Sequence, residues 1–196
     1  MSQLMTLLLS IAISRSVLAY TVVSQPQLNL IVPGARIGNM VLGQNGTEVL
    51  KRFGKPDIID AGMSQTRQVW LGRGYSRATL FIHTTANGAI DAEPSSGVTI
   101  DVVRTSSTRF HTSAGISVGS TLAQVRRMYP HLHRASSENP SIIFCDRRHG
   151  IAFEFTRDKE DAHCAGITVF LPGHSYLASN HDISALIQCS PGYHKR

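Results

Sequence analysis

Two stretches of this chain, "NMVLGQNGTEVLKRFGKP" and "GISVGSTLAQVRRMYP", are imperfect copies of one another. At an offset of 76 residues, the distance from Gly43 to Gly119, Asn45 falls on Thr121, Glu48 on Gln124, Val49 on Val125 and Phe53 on Tyr129. A fold that must house one device twice is far more restricted than a fold that houses it once. Each copy spells a short helix with written ends. Thr121 followed three residues later by Gln124 is a capping box, in which each side chain satisfies a backbone N–H that the first turn leaves unpaired. Asn45 and Glu48 repeat it. Leu122, Val125 and Tyr129 recur at helical spacing and form one apolar face, matched by Val49 and Phe53, with Lys and Arg on the other side. Pro130 in one copy, and Gly54 with Pro56 in the other, stop the helices.

After each helix come three extended runs: "RQVWL", "RATLFIH" and "GVTIDVV" in the first copy, "SIIFC", "GIAFEF" and "AGITVFL" in the second. All are short, rich in β-branched and aromatic residues, and bounded by turn formers. Each copy therefore predicts a helix followed by a three-stranded antiparallel meander. One such unit buries too little to be stable, whereas two can extend one sheet and share a core. The expected fold is α+β: two tandem repeats, residues 36–112 and 113–172, forming one extended sheet with the helices on one face. Residues 20–35 are an N-terminal extension. Residues 173–196 are a tail with a short helix near Asp182 to Gln188.

The first nineteen residues, "MSQLMTLLLSIAISRSVLA", hold an apolar run from Leu4 to Ile13 and end in small residues at Val17 and Ala19, the pattern of a secretory signal peptide. The run is too short to span a bilayer comfortably. Its removal takes away only Arg15 among the charged residues, so a formal charge of +6 falls by one. The remaining basic residues are scattered as pairs such as Lys51 with Arg52 and Arg126 with Arg127, without the aromatic interleaving of a nucleic-acid surface. The expected location is the periplasm or the extracellular medium, where disulfides are allowed.

"VLGQNGTEVLKRFGKPD" and "SVGSTLAQVRRMYP", each an extended segment, glycine, capped helix and turn before a strand meander, resemble the tandem helix-plus-sheet repeat of β-lactamase inhibitor proteins. That repeat is in turn similar in shape to the small outer-membrane lipoproteins of the barrel-assembly machinery. The resemblance covers Arg36 to Leu171 and implies an open sheet face that binds another protein. The chain departs from both: its first repeat has no cysteine, and Tyr20 stands where the lipoproteins carry a lipidated Cys.

No catalytic constellation accompanies this architecture. His131 and His133 form an HxH pair with no third ligand at fixed spacing. "SNHD" at Ser179 to Asp182 holds hydrolytic residue types at adjacent positions that cannot face one another. Cys145 with His149 would make a nucleophile and base in a cell-envelope hydrolase, but Cys145 at the end of a buried strand is better explained as a disulfide half. Neither a cofactor nor a metal is expected. The expected function is a non-enzymatic binding module whose partner is another protein in the envelope or outside the cell. The alternatives are a cell-envelope hydrolase and a structural envelope protein associating with anionic wall polymer. Residues alternating away from the helices supply the binding face: Trp70, Phe81, His83 and Asp101 from the first repeat, Glu154 and Phe170 from the second. Cys145 ends the first strand of its meander and Cys164 opens the third, beyond the roughly 7 Å a bridge tolerates. A disulfide is therefore expected from Cys189 to either Cys145 or Cys164. N-terminal sequencing of the exported protein is expected to begin at Tyr20, and a chain intact from Met1 in the membrane fraction would refute cleavage.

Overall fold

A computed structural model describes residues 28–62, 65–72, 79–86, 98–135 and 141–173. The elements are β1 (Leu30–Val32), β2 (Arg36–Ile37), β3 (Met40–Val41), α1 (Gly46–Phe53), β4 (Ile58–Gly62), β5 (Gln65–Leu71), β6 (Thr79–Ala86), β7 (Val98–Thr105), β8 (His111–Thr112), α2 (Leu122–Met128), β9 (His133–Ala135), β10 (Ile142–Asp146), β11 (Ile151–Phe155) and β12 (Cys164–Phe170). The strands form two sheets, one of four strands in the order β3-β2-β1-β8 and one of eight in the order β4-β5-β6-β7-β12-β11-β10-β9.

The expected α+β fold of helix-plus-three-strand repeats in one sheet does not hold. The described chain is mostly β with two short helices, its strands divide between two sheets, and each helix is followed by four strands of the larger sheet. The physical reason lies in the segments leading into the helices. Ile31, Ile37 and Met40 are buried on β1, β2 and β3 and pack into the same core as the helices, so these segments pair into a small sheet of their own. Strands of two or three residues are too short to show a period-2 pattern in sequence. The residues assigned to an N-terminal extension contribute β1, which pairs in parallel with β8 at Leu30–His111 and Ile31–Thr112.

Both helices form for the reasons their ends spell. Thr121 accepts from Gln124 N–H at 3.2 Å while the Gln124 side chain accepts from Thr121 N–H at 2.8 Å, completing the box. Asn45 also caps its helix, accepting from Thr47 N–H at 2.9 Å, but Glu48 does not close a box and instead accepts from the Gln44 side chain. The helix entries dock on the large sheet alike. Gly43 N–H donates to Ile100 O and Ile100 N–H to Gln44 O; Gly119 N–H donates to Cys164 O and Cys164 N–H to Ser120 O. Just past each docking point the receiving strand carries a bulge. Asp101 is skipped between the pairs His83–Val102 and Thr84–Ile100, and Ala165 between Glu154–Gly166 and Phe155–Cys164. A bulge adds one residue to its strand and so shifts the alternation of faces by one, putting Ile100 and Val102 on opposite faces. Ile100 and Val103 accordingly share one core.

Each face of the large sheet carries a core. On the helix side Val49, Leu122 and Val125 pack on Ile82, Val103, Phe144, Phe153, Phe155, Ile167 and Val169, closed by the small sheet. On the other side Val69, Val102, Ile143, Cys145, Ala152 and Phe170 form a second cluster. Gly150, in the turn between β10 and β11, locks the arrangement. Its carbonyl accepts from Gly34 N–H and Phe170 N–H, its φ is +68°, and a Cβ there would lie 2.1 Å from Phe170 O. Gly150→Ala is expected to destabilise by more than about 3 kcal/mol, because backbone must move to relieve the clash. Gly119→Ala, at φ +94° but with no atom within 4 Å of the new Cβ, should cost only about 1–2 kcal/mol. Urea denaturation of the two variants checks the contrast.

Candidate binding surface

Helix α1 lies across the sheet with Val49 buried beneath it, so its two flanks look outward. On one flank a cleft of about 640 Å³ runs between the helix and the small sheet, lined among others by Arg36, Asn39, Val41, Leu42, Glu48 and Arg52. The arginines are held by backbone: Arg36 donates to Gly38 O at 2.7 Å and Arg52 to Asn39 O at 3.4 Å. On the other flank Leu50 and Phe53 are exposed, and the Phe53 ring stands 6.1 Å from that of Trp70 on β5. The Trp70 indole N–H donates to Gly54 O at 3.1 Å, which fixes the ring against the end of the helix.

The centre of the sheet face opposite the helices is buried, and an ion pair sits there. Arg104 on β7 donates through Nε to Glu154 Oε2 at 3.0 Å and through Nη2 to the same oxygen, while the Ser141 hydroxyl donates to Oε1 at 2.6 Å. The side chains are 9% and 13% exposed. Burial raises the Glu154 carboxyl, but the charge of Arg104 and the Ser141 hydroxyl outweigh it and hold the group below its ordinary 4.5. Gly166 between them leaves the room: a Cβ there would lie 2.6 Å from Arg104 Nη2 and 2.9 Å from Glu154 Oε2.

A second carboxylate is tied into the β10–β11 turn. Asp146, 2% exposed in its side chain, accepts from the Arg148 and His149 backbone N–H groups and from His149 Nδ1–H at 2.7 Å. Desolvation pushes it up, yet these bonds more than reverse the effect and keep it below 3.8. Burial pushes the Cys145 thiol up to about 11 and the Cys164 thiol up to about 12. Neither is the thiolate a nucleophile requires. Cys145 packs in the cluster away from the helices, and Asp146, the next residue, points to the opposite face with the His149 it holds. Among the described residues no three His, Cys, Asp or Glu side chains gather as a metal-binding group.

The six residues expected to share one open face are divided. Trp70 packs against the helix-side core. Phe170 is 1% exposed in the opposite cluster, and Glu154, on that same face, is engaged by Arg104 and Ser141. Asp101 is the bulged residue of β7. Phe81 and His83 are placed by backbone alone, Phe81 pairing with Val69 and Arg104, His83 with Arg67 and Val102. Cys145 and Cys164 are free thiols in this structure, and the bridge expected from Cys189 falls on a residue outside the described ones. The signal segment, the Ser179–Asp182 motif and the tail helix lie outside them too. Sequence reasoning missed Leu50, Ile59 and Gln68, although the unmatched pair Leu50 against Arg126 was visible in the alignment of the two copies.

No protein-family model matches the chain, and no curated protein matches it in sequence. Among solved structures it is similar to an extracellular protein containing a SCP domain from Bacillus anthracis str. Ames, at 10% identity and a TM-score of 0.42, over 76% of this chain and 48% of that one. It is also similar to the uncharacterized protein yfeY from Escherichia coli, at 9% identity and a TM-score of 0.36, over 72% of this chain and 97% of that one. The chain thus spans about half the length of the first. Likenesses at this level bear on neither fold nor function.

Glu154 and Asp146 both have depressed pKa values in the folded state, so each stabilises the protein above its unfolded value and loses that contribution as the pH falls through the lower folded value. Unfolding free energy is expected to decline below about pH 4.5 and to keep declining under 3.8. Glu154→Ala removes the carboxylate from beside the buried Arg104 and should cost about 3–5 kcal/mol at neutral pH, with a flatter acid limb than the parent. Denaturation at a series of pH values measures both.

Proposed function

We propose that this protein is an exported, non-catalytic module that binds another protein through the surface around α1. One observation carries the proposal. Of the six large apolar side chains exposed among the described residues, three, Leu50, Phe53 and Ile59, lie on α1 and the strand that follows it, and a fourth, Val41, lines the cleft on the opposite flank of the helix. Soluble proteins scatter such residues singly, and a concentration of them marks a contact surface. Apolar and aromatic anchors supply most of the energy of such contacts. Arg36 and Arg52 at the neighbouring cleft add charge that steers and orients a partner. The first nineteen residues support export, and with it a partner in the envelope or outside the cell. This surface replaces the open sheet face as the place of contact.

Immobilised protein is expected to retain a polypeptide from an envelope extract of its source in about 0.5 M NaCl, where charge–charge attraction is screened over a few ångströms. A Val41→Glu/Leu50→Glu variant, with an unchanged thermal midpoint, should retain at least about tenfold less of it, as expected when anchors worth about 2 kcal/mol are lost. Equal retention by the variant would refute the α1 surface. Release of all bound material at that salt concentration would point instead to electrostatic association with anionic wall polymer.

A further inference from the structure

The two edges of the large sheet are built alike and finished in opposite ways. Each is the strand that follows a helix, β4 after α1 and β9 after α2, and between each edge and its helix lies a shelf. In the second half the floor of the shelf is Phe144, cross-strand from Arg134 on β9. Arg126 of α2 lies over its ring at 4.9 Å, and Arg126 and Arg134 both reach Asp158, at 3.4 and 3.5 Å. The edge itself is three residues long, with His133 and Arg134 exposed. Short length and exposed charge are means by which proteins keep an edge from pairing with another strand.

Edge β4 is guarded far less. The offset of 76 that sets Leu50 on Arg126 also sets Gln68 on Phe144, and Ile59, cross-strand from Gln68, takes the place of Arg134. Leu50 and Ile59 are 36% and 53% exposed, and Gln68 Oε1 is buried without a hydrogen bond. The strand pairs with β5 over five consecutive residues, with no bulge, no proline and no basic residue. Its one charge, Asp60, is held by Arg67 at 2.9 Å.

The backbone of β5 shows which groups of this edge turn outward. Asp57 N–H donates to Val69 O at 2.9 Å, and the Asp57 carboxylate accepts from Leu71 N–H at 2.7 Å, so the odd-numbered residues of β5 direct their backbone toward β4. Thr66 O turns the other way and accepts from the Thr84 hydroxyl on β6. In an antiparallel ladder, pairs that exchange hydrogen bonds alternate with pairs that do not. Ile58, Asp60 and Gly62 therefore bond to Val69, Arg67 and Gln65. Ile59 and Ala61, both exposed, point their N–H and C=O groups out of the sheet.

Resting on the binding role proposed above, we infer that an extended segment of the partner protein adds to this edge as a further antiparallel strand. Two N–H and two C=O groups at strand spacing are matched by an extended backbone, which fixes the conformation of the occupant. A second copy of this chain fits poorly. The two-fold register that uses Ile59 and Ala61 of both copies sets Asp60 against Asp60, and like charges directly opposite one another repel. The same Asp60 favours a basic residue from a different chain. Ile59 stands on the face that carries α1, so the residues on either side of the basic one turn to that face and are apolar.

The test is a ¹H–¹⁵N NMR titration of the protein with acetyl-Thr-Val-Lys-Val-Thr-amide, followed by amide hydrogen exchange at saturation. The peptide is expected to give saturable shifts centred on β4 and to slow exchange at Ile59 and Ala61. The amides of Ile58, Asp60 and Gly62, already bonded to β5, should change little. The two valines meet Ala61 and Ile59, whereas the lysine N–H faces away. N-methylation of both valines should therefore weaken binding at least about tenfold, the loss of two neutral hydrogen bonds, and N-methylation of the lysine should leave it unchanged. Glutamate in place of the lysine should weaken binding about threefold at low salt, a difference that vanishes in about 0.5 M NaCl. Ala61→Pro removes a donor that no strand of the protein uses, so the thermal midpoint should hold while peptide binding is lost. The N-methylated peptides carry the test on the parent protein even if that variant does not fold. Absence of saturable shifts at β4, unaltered exchange at Ile59 and Ala61, or equal binding of the N-methylvaline peptide would each overturn the inference. Sedimentation as a dimer that Ala61→Pro dissociates would assign the edge to a second copy and overturn it as well. If Ala61→Pro retains the captured polypeptide while Val41→Glu/Leu50→Glu loses it, binding at the α1 surface stands and strand addition falls; if both variants retain it, the α1 surface falls too.

Discussion

Arg104 and Glu154 meet across the seam on which the whole sheet depends. The first four strands of the large sheet and the last four share one junction, the antiparallel pairing of β7 with β12 through Val102–Phe170, Val103–Val169, Arg104–Thr168 and Thr105–Ile167. Arg104 comes from one side of that junction, and Glu154 lies one strand beyond it. The ion pair passes over Gly166, where the missing Cβ is the condition for its existence. A buried pair of this kind contributes little net energy relative to an apolar replacement, yet losing one partner is severe. It therefore works as a constraint on register. A slip of one residue between β7 and β12 would turn Arg104 toward the helix-side core and leave both charges unpaired.

The same seam explains why both faces of the sheet are buried at its centre. Alternation along β12 sends Ile167 and Val169 to the helix side and Phe170 to the other. A sheet with one open face would carry polar residues at every second position, whereas β12 is buried at all but one of its positions. The bulges at Asp101 and Ala165 let the chain satisfy this demand while bending each strand toward the entry of its helix. The helices are short, and their stability comes from this docking and from their caps, since isolated helices of such length are marginal in water.

Against this shared frame the difference between the halves is chemical. Around α2 the exposed positions carry arginines matched to Asp158 and Glu160. Around α1 the equivalent positions carry Leu50 and Ile59, over an amide with no partner for its oxygen. An unpaired buried acceptor costs about 1–3 kcal/mol, and exposed apolar side chains risk association. A protein that closes one shelf with its own charges and leaves the other apolar has local choices that disagree with simple stability, the expected signature of a surface shaped for contact.

The elements that could be read from the residues alone are those whose cause is local. The caps at Asn45 and Thr121, the buried positions Val49 and Val125, and the strand runs around Val69, Phe144, Phe153 and Val169 follow from hydrogen-bonding side chains and from periods of 3.6 and 2, which need no knowledge of the rest of the chain. The small sheet was not legible, because strands of two or three residues have no period and form only when β8 arrives beside β1. Face assignment was not legible either. A single bulge at Asp101 resets the alternation along β7, and no composition signals where a bulge falls. Trp70, in a run that alternates cleanly, takes the helix side because β5 is set by its pairing with β6. The orphaned Gln68 and the apolar rim around it became visible only when the two halves were laid on the same sheet. A polar residue in a strand is ordinary, and it is the burial of its oxygen without a partner, a property of its neighbours in space, that sets it apart.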